Sequence, residues 1–335
     1  MPSPSCRPQA RKKAATTSSP AAEPSNWTTI RLVTIVFATD GSDHAKAAEE
    51  VIRRLPLSAE CKVLCVSVFS PSFITSSAGA HPFVGGVLAA QIEAAIDEER
   101  RQAEEASQGA AARLKAAGLS AEAETAEGDP VTEVINRALD QGAQLIVCGA
   151  RGKSSIEDLL LGSVARGLAN ESPVSVIVTR GKALSEGAGL SSAFATDFGD
   201  LHGEFVKKLA KFFPARLRSL AAVVVVDPDS KETLALARQL GSDLGQARDR
   251  EEIERIVQGA LEETAENLAG AAESVTTRVL FGDVRKELMT LSSEPGLDLL
   301  ILGARSRSAV SRLLLGSVSH QMAIRASCSV LILRP

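Results

Sequence analysis

The chain has 335 residues, enough for two ordinary domains, with 44% hydrophobic and 23% charged residues, a globular balance. A net charge of -4 and an aromatic content of 3% argue against a nucleic-acid surface, which needs basic groups and stacking platforms. The longest apolar runs, such as Ala221 to Val226, are far too short to cross a bilayer, so no membrane association is expected.

Residues 1–28 are rich in Ser, Pro and Ala and carry Arg7, Arg11, Lys12 and Lys13 against the acid Glu23. They lack the apolar stretch of a secretory signal, and a disordered tail in a cytoplasmic protein is expected. An organelle transit peptide has a similar composition.

The first structured element is the β-branched run Arg31–Ala38. Ser42 or Asp43 then caps a helix running to about Leu55. Cys61–Val68 reads as a second strand, followed by a loop from Ser70 to Gly86. A long helix, about Leu88–Ala117, stops at Gly118. Ser120–Ala126 alternates like a strand, and Pro130 suits the first turn of a helix ending near Gly142. Gln144–Cys148 is a buried strand, Ser163–Asn170 a helix, and Val174–Thr179 a last strand.

After a link at 182–189 the plan repeats. Gly128–Arg180 and Gly282–Arg334 align without gaps at an offset of 154, and 19 of 53 positions are identical. Phe37–Asp40 and Phe194–Asp197 both read FATD. Two matched blocks in the same order mark a duplicated domain. The second copy has a short first strand, Ser192–Thr196, an added segment, Asp227–Arg248, that can hold a helix, and a long helix, about Glu251–Ala272. The fold class is therefore α/β: two tandem Rossmann-like domains, 29–181 and 190–335, each with a five-stranded parallel sheet covered on both faces. The final strands, Val174–Thr179 and Ser329–Leu333, are apolar edges that invite pairing. An internal pseudo-dimer is expected, with a homodimer of chains as the further option.

The cysteines and histidines suggest no metal site. Cys61 and Cys65, four residues apart in an extended run, are separated by roughly 13 Å, too far for a disulfide. Cys148 and Cys328 sit in or beside apolar runs and read as buried small hydrophobes. His44, His81, His202 and His320 are scattered.

Chemistry concentrates where the strands of the first copy end. In parallel sheets, ligands bind beyond the carboxyl ends of the strands, where the strand order reverses. There lie Thr39-Asp40-Gly41, the turn Gly149-Ala150-Arg151-Gly152, and Gly162-Ser163-Val164 at a helix start. Gly149 and Gly152 let backbone N–H groups approach a phosphate, and the helix start offers free N–H groups and a positive dipole end. Ser163 can add a hydroxyl to a phosphate or to its magnesium ion, and Asp40 can accept from ribose hydroxyls. Taken singly, each is an ordinary turn, cap or turn former.

The spacing Gly-x2-Gly-x9-Gly-Ser, intact as Gly149, Gly152, Gly162 and Ser163, resembles the ATP-binding branch of the universal stress protein family. The resemblance covers nearly all of the chain after residue 28. It implies an adenine nucleotide alpha hydrolase-like fold, bound ATP with Mg2+, Asp40 on the ribose and Val66 in the adenine pocket. Leu64-Cys65-Val66 stands where the family has Leu-His-Val, so Cys65 replaces the histidine. The nucleotide-binding set is Thr39, Asp40, Val66, Gly149, Arg151, Gly152, Gly162, Ser163 and Val164. The second copy retains Thr196, Asp197, Gly303, Gly316 and Ser317 but has Ser306 at the second glycine position, so a degenerate site is expected. No nucleophile–base pair is recognisable, and strand one lacks the Ser-Gly-Gly-x-Asp-Ser or His-Ile-Gly-His motifs of adenylating enzymes. A binding protein for stress response or signalling is expected, with a nucleotide-free scaffold as the alternative.

Overall fold

The computed structural model describes residues 34–71, 86–153, 161–213, 216–227, 250–304 and 315–335. The tail at 1–28, most of the loop after the second strand, nearly all of the added segment and Ser306 lie outside these residues.

The first repeat runs β1 (Thr34–Ala38), α1 (Asp43–Arg54), β2 (Lys62–Phe69), α2 (Gly86–Ala116), β3 (Ser120–Glu127), α3 (Pro130–Asp140), β4 (Leu145–Gly149), α4 (Ser163–Glu171) and β5 (Ser175–Thr179). The second runs β6 (Ser191–Ala195), α5 (His202–Phe212), β7 (Ser219–Val226), α6 (Arg250–Leu268), β8 (Val275–Phe281), α7 (Val284–Ser292), β9 (Leu299–Gly303), α8 (Ser317–Arg325) and β10 (Ser329–Leu333). The expected elements are present, with ends shifted by a few residues. The largest shift is in α6, which stops at Leu268 rather than near Ala272.

Local chemistry sets several of these ends. Ser42 Oγ accepts the Ala45 N–H, which starts α1, as the sequence suggests. Asp129 caps α3 through the Thr132 N–H, with Pro130 at the first helical position, and Asp283 caps α7 through the Lys286 N–H in the matching place. Gly118 stands at φ 87° just past α2, a left-handed position suited to glycine.

The strands join in one ten-stranded sheet, ordered β3-β2-β1-β4-β5-β10-β9-β6-β7-β8. Pairing is parallel within each repeat and antiparallel at the β5–β10 seam, where Val176 faces Ile332 and Ile177 faces Leu331. In each half the chain leaves the central strand in opposite directions, so the order reverses between β1 and β4 and between β6 and β9.

Alternation along β1 fixes which residues meet which layer. Ile35 and Phe37 join one buried cluster with Val51 and Ile52 of α1 and Leu114 of α2. Val36 joins the other, with Val134 of α3 and Leu168 of α4. Glu49 of α1 is 3% exposed and accepts two hydrogen bonds of 2.7 Å from the guanidinium of Arg113 on α2. A buried carboxylate needs such a partner, and the pair ties the two helices of that layer together.

The segment between the repeats is also tied down. Ser185 donates its N–H and hydroxyl to buried Asp298, which also accepts the Ser191 N–H at 2.9 Å. Arg54 at the end of α1 donates to the Ser185 carbonyl at 2.6 Å. Cys61, Cys65, Cys148 and Cys328 are free and buried, with Cys61 just ahead of β2 rather than inside it. Burial pushes the thiols of Cys65 and Cys148 up to about 12. No helix among the described residues is long and apolar enough to cross a membrane.

Candidate functional site

The reversal between β1 and β4 brings the expected pieces of the first repeat together. β1 delivers Thr39 and Asp40, β4 delivers Gly149 and the turn to Gly152, and α4 begins at Ser163. Thr39 is 5% exposed; its N–H donates to the Val66 carbonyl at 2.9 Å, which ties the end of β1 to β2. Its hydroxyl accepts the Gly41 N–H at 3.2 Å, and Gly41 stands at φ 74°. Val66 is 1% exposed and belongs to the buried cluster that contains Cys148, Ala150 and Leu161.

Asp40 joins two parts of the site. One carboxylate oxygen accepts the Ser42 N–H at 3.0 Å; the other accepts the Lys153 N–H at 2.7 Å. The second contact draws the β4 turn onto the end of β1. Sequence reading missed Lys153, because a backbone amide can come from any residue and leaves no compositional signal.

Gly149 and Gly152 stand at close approaches, while Gly162 has ordinary packing distances. A β-carbon on Gly149 would lie 2.9 Å from the backbone of His44, so α1 packs directly on the end of β4. A β-carbon on Gly152 would lie 2.5 Å from Asp40 Oδ2. One on Gly162 would lie 3.4 Å from the Ala150 carbonyl oxygen and 3.9 Å from the Gly152 nitrogen. Gly162 donates its N–H to the Ala150 carbonyl at 2.8 Å and caps α4 in an extended conformation without a side-chain hydrogen bond. Among the described residues no cap side chain competes for the first N–H groups of α4, which sit beside the glycine turn. Ser163 is exposed, and Arg151, Gly152 and Val164 are half-buried. Arg180, directly after β5, adds a second cation near Arg151; burial first, and the charge of Arg151 second, pull its guanidinium below the ordinary value.

The second repeat departs from this plan in more than Ser306. Thr196 and Asp197 keep their places, and Gly316 caps α8 without a side-chain hydrogen bond, as Gly162 caps α4. Phe198, however, occupies the position of Gly41 and holds φ 51°. Its ring lies 4.9 Å from the ring of His202. Gly303 packs against Phe205, whose ring would lie 2.3 Å from an added β-carbon. Ser317, exposed, lies 3.4 Å from the guanidinium of Arg285. Aromatic side chains thus crowd the strand ends that the first repeat leaves to glycine and a small turn. The pair Phe198-Gly199 in place of Gly41-Ser42 is the sequence signal that could have shown this. Among the described residues no group of three His, Cys, Asp or Glu side chains could hold a metal ion.

Comparison with known proteins agrees with this architecture. The model of the universal stress protein family matches twice, at residues 33–180 and 193–334. Universal stress protein YxiE of Bacillus subtilis is 27% identical over 150 residues, which are 44% of this chain and 97% of that protein. A universal stress protein of Thermus aquaticus is 31% identical over 147 residues, 44% of this chain and 98% of its own. The crystal structure of a universal stress protein from Archaeoglobus fulgidus superposes with a TM-score of 0.57 at 21% identity, over 90% of this chain and 98% of that one, and so shares the fold. With two matches that together cover most of its length, the chain belongs to the universal stress protein family, as a tandem of two such domains.

Proposed function

We propose that the first repeat binds ATP, with Mg2+ carried on the triphosphate, and that the protein acts as a nucleotide-binding stress or signalling protein rather than a fast enzyme. The observation that carries this reading is the uncapped start of α4 lying against a turn whose glycines leave no room for side chains. Backbone N–H groups there can converge on phosphate oxygens. Each dipole contact contributes only about 0.3–1 kcal/mol, so several must act together to reach micromolar affinity, about -8 kcal/mol. The exposed Ser163 hydroxyl is placed to meet a phosphate or its magnesium ion, and Arg151 adds positive charge. Asp40 already accepts two amides, but each carboxylate oxygen has a second lone pair that can take a ribose hydroxyl. Val66, within β2, supports the adenine side. The second repeat, crowded by Phe198 and Phe205, serves as a structural partner.

Titration calorimetry with Mg-ATP tests the reading. One strong site per chain is expected, together with a rise in melting temperature. Absence of heat and of thermal shift at millimolar Mg-ATP would favour the nucleotide-free scaffold instead.

A further inference from the structure

We infer that Arg334, which belongs to the second repeat, is a positioning residue for the phosphate helix of the first; this rests on the nucleotide reading above. Arg334 directly follows β10 and is 1% exposed. Its N–H donates to Ser175 Oγ at 3.1 Å, and its Nη2 donates to the carbonyls of Ala169 at 2.6 Å and Asn170 at 3.2 Å. Both carbonyls lie in the last turn of α4, where the helix supplies no N–H partners. One planar guanidinium satisfies two of these acceptors and places a cation at the negative end of the helix.

The contact is reciprocal. Arg180 donates its N–H to Ser329 Oγ at 3.2 Å, and its guanidinium to the Ala323 carbonyl in the last turn of α8. The offset of 154 that relates the repeats carries Arg180 onto Arg334, Ser175 onto Ser329 and Ala169 onto Ala323. The lacing is therefore a property of the two-fold seam, in which each repeat grips the last turn of the helix that precedes the final strand of the other.

The consequence follows from the length of α4. Nine residues span about 13 Å and behave as a short rod. Gly162, Ser163 and the free amides are at one end, and Arg334 holds the other. Fixing the last turn fixes where the first turn points. The second repeat thereby acts on the site of the first whether or not it binds a ligand of its own.

The test compares the full-length parent with Arg334→Met and Arg334→Lys, using calorimetry with Mg-ATP and with adenosine. Adenosine has no phosphates to engage α4. Arg334→Met is expected to weaken Mg-ATP about fivefold or more while leaving adenosine unchanged, and Arg334→Lys to recover part of the loss. Equal Mg-ATP affinity in parent and Arg334→Met overturns the inference alone. So does a matching loss for ATP and adenosine, which would assign Arg334 to general stability. If Arg334→Met does not fold, Arg334→Gln, which lacks the cation and the guanidinium fork, carries the same comparison, with a loss selective for Mg-ATP expected and unchanged affinity overturning the inference. A parent chain that does not bind Mg-ATP overturns the nucleotide reading and this inference with it.

Discussion

A β-carbon at residue 152 would stand 2.5 Å from Asp40 Oδ2, inside any tolerable contact. The carboxylate could yield only by giving up the Lys153 N–H, which holds the β4 turn against β1. Gly152→Val is therefore expected to weaken Mg-ATP by at least about a hundredfold, roughly 3 kcal/mol, in a folded protein. Unchanged affinity by calorimetry would show that the turn does not meet the phosphates. Asp40→Ala should cost affinity for both ATP and bare triphosphate, because the turn loosens, with the larger loss for ATP if the carboxylate also holds the ribose. Equal losses would confine Asp40 to the turn. At this scale the sequence was informative where geometry demands a particular residue type, as at Gly149 and Gly152. It was silent on the Lys153 amide, which any residue but proline could supply, and on the arginine lacing, whose acceptors are carbonyls of Ala169, Asn170 and Ala323.

Helix α5 shows how an element can be held by a titratable group. Thr264 of α6 donates its hydroxyl to the Ala260 carbonyl at 2.9 Å, so toward His202 Nε2, 3.1 Å away, it must accept. In the neutral ring Nδ1, 2.8 Å from Thr196 Oγ1, is then the acceptor. The rings of Phe194 and Phe198 flank it. Burial lowers its affinity for a proton, against the weaker opposing pull of Asp197 and Glu263. A proton taken up at Nδ1 would displace the Thr196 donor. Because the folded value lies below the unfolded value of 6.5, this contribution is complete above about pH 6.5 and is lost as the pH falls through the folded value. Denaturant midpoints should therefore drop more between pH 7.5 and 5.5 for the parent than for His202→Gln, and equal drops would remove His202 from the acid response. The helix itself was implied only by the repeated plan of the second copy. Its link to α6 was not, since His202 and Thr264 lie 62 residues apart and only the fold brings them together.

Over the whole molecule, duplication was the most legible feature, because an internal repeat needs no outside reference. The parallel sheet with helices on both faces followed from the alternation of strands and helices, while the strand order did not. The seam was anticipated from two apolar final strands that would otherwise be open edges, and the antiparallel β5–β10 pairing meets that expectation. Ser306 already marked the second copy as different, but the packing of Phe205 on Gly303 was not legible, because it depends on side chains meeting across different elements. The seam itself is open to a direct test. Val176 and Leu331 are fully buried and lie one on each face of the sheet. Lysine at both positions would place two ammonium groups against apolar layers at the junction, where neither has a carboxylate partner in the strand opposite. The repeats are joined by a short link that keeps their effective concentration near the millimolar range, so a weak seam would still close and only a strongly damaged one would open. Val176→Lys with Leu331→Lys is expected to open it. In small-angle scattering the radius of gyration should rise above that of the parent, about 20 Å or somewhat more for a compact chain of this length, while the far-ultraviolet circular dichroism keeps its α/β shape. A double variant with the parent's radius would mean that the halves are held together elsewhere, through the Ser185–Asp298 and Arg54 contacts of the link.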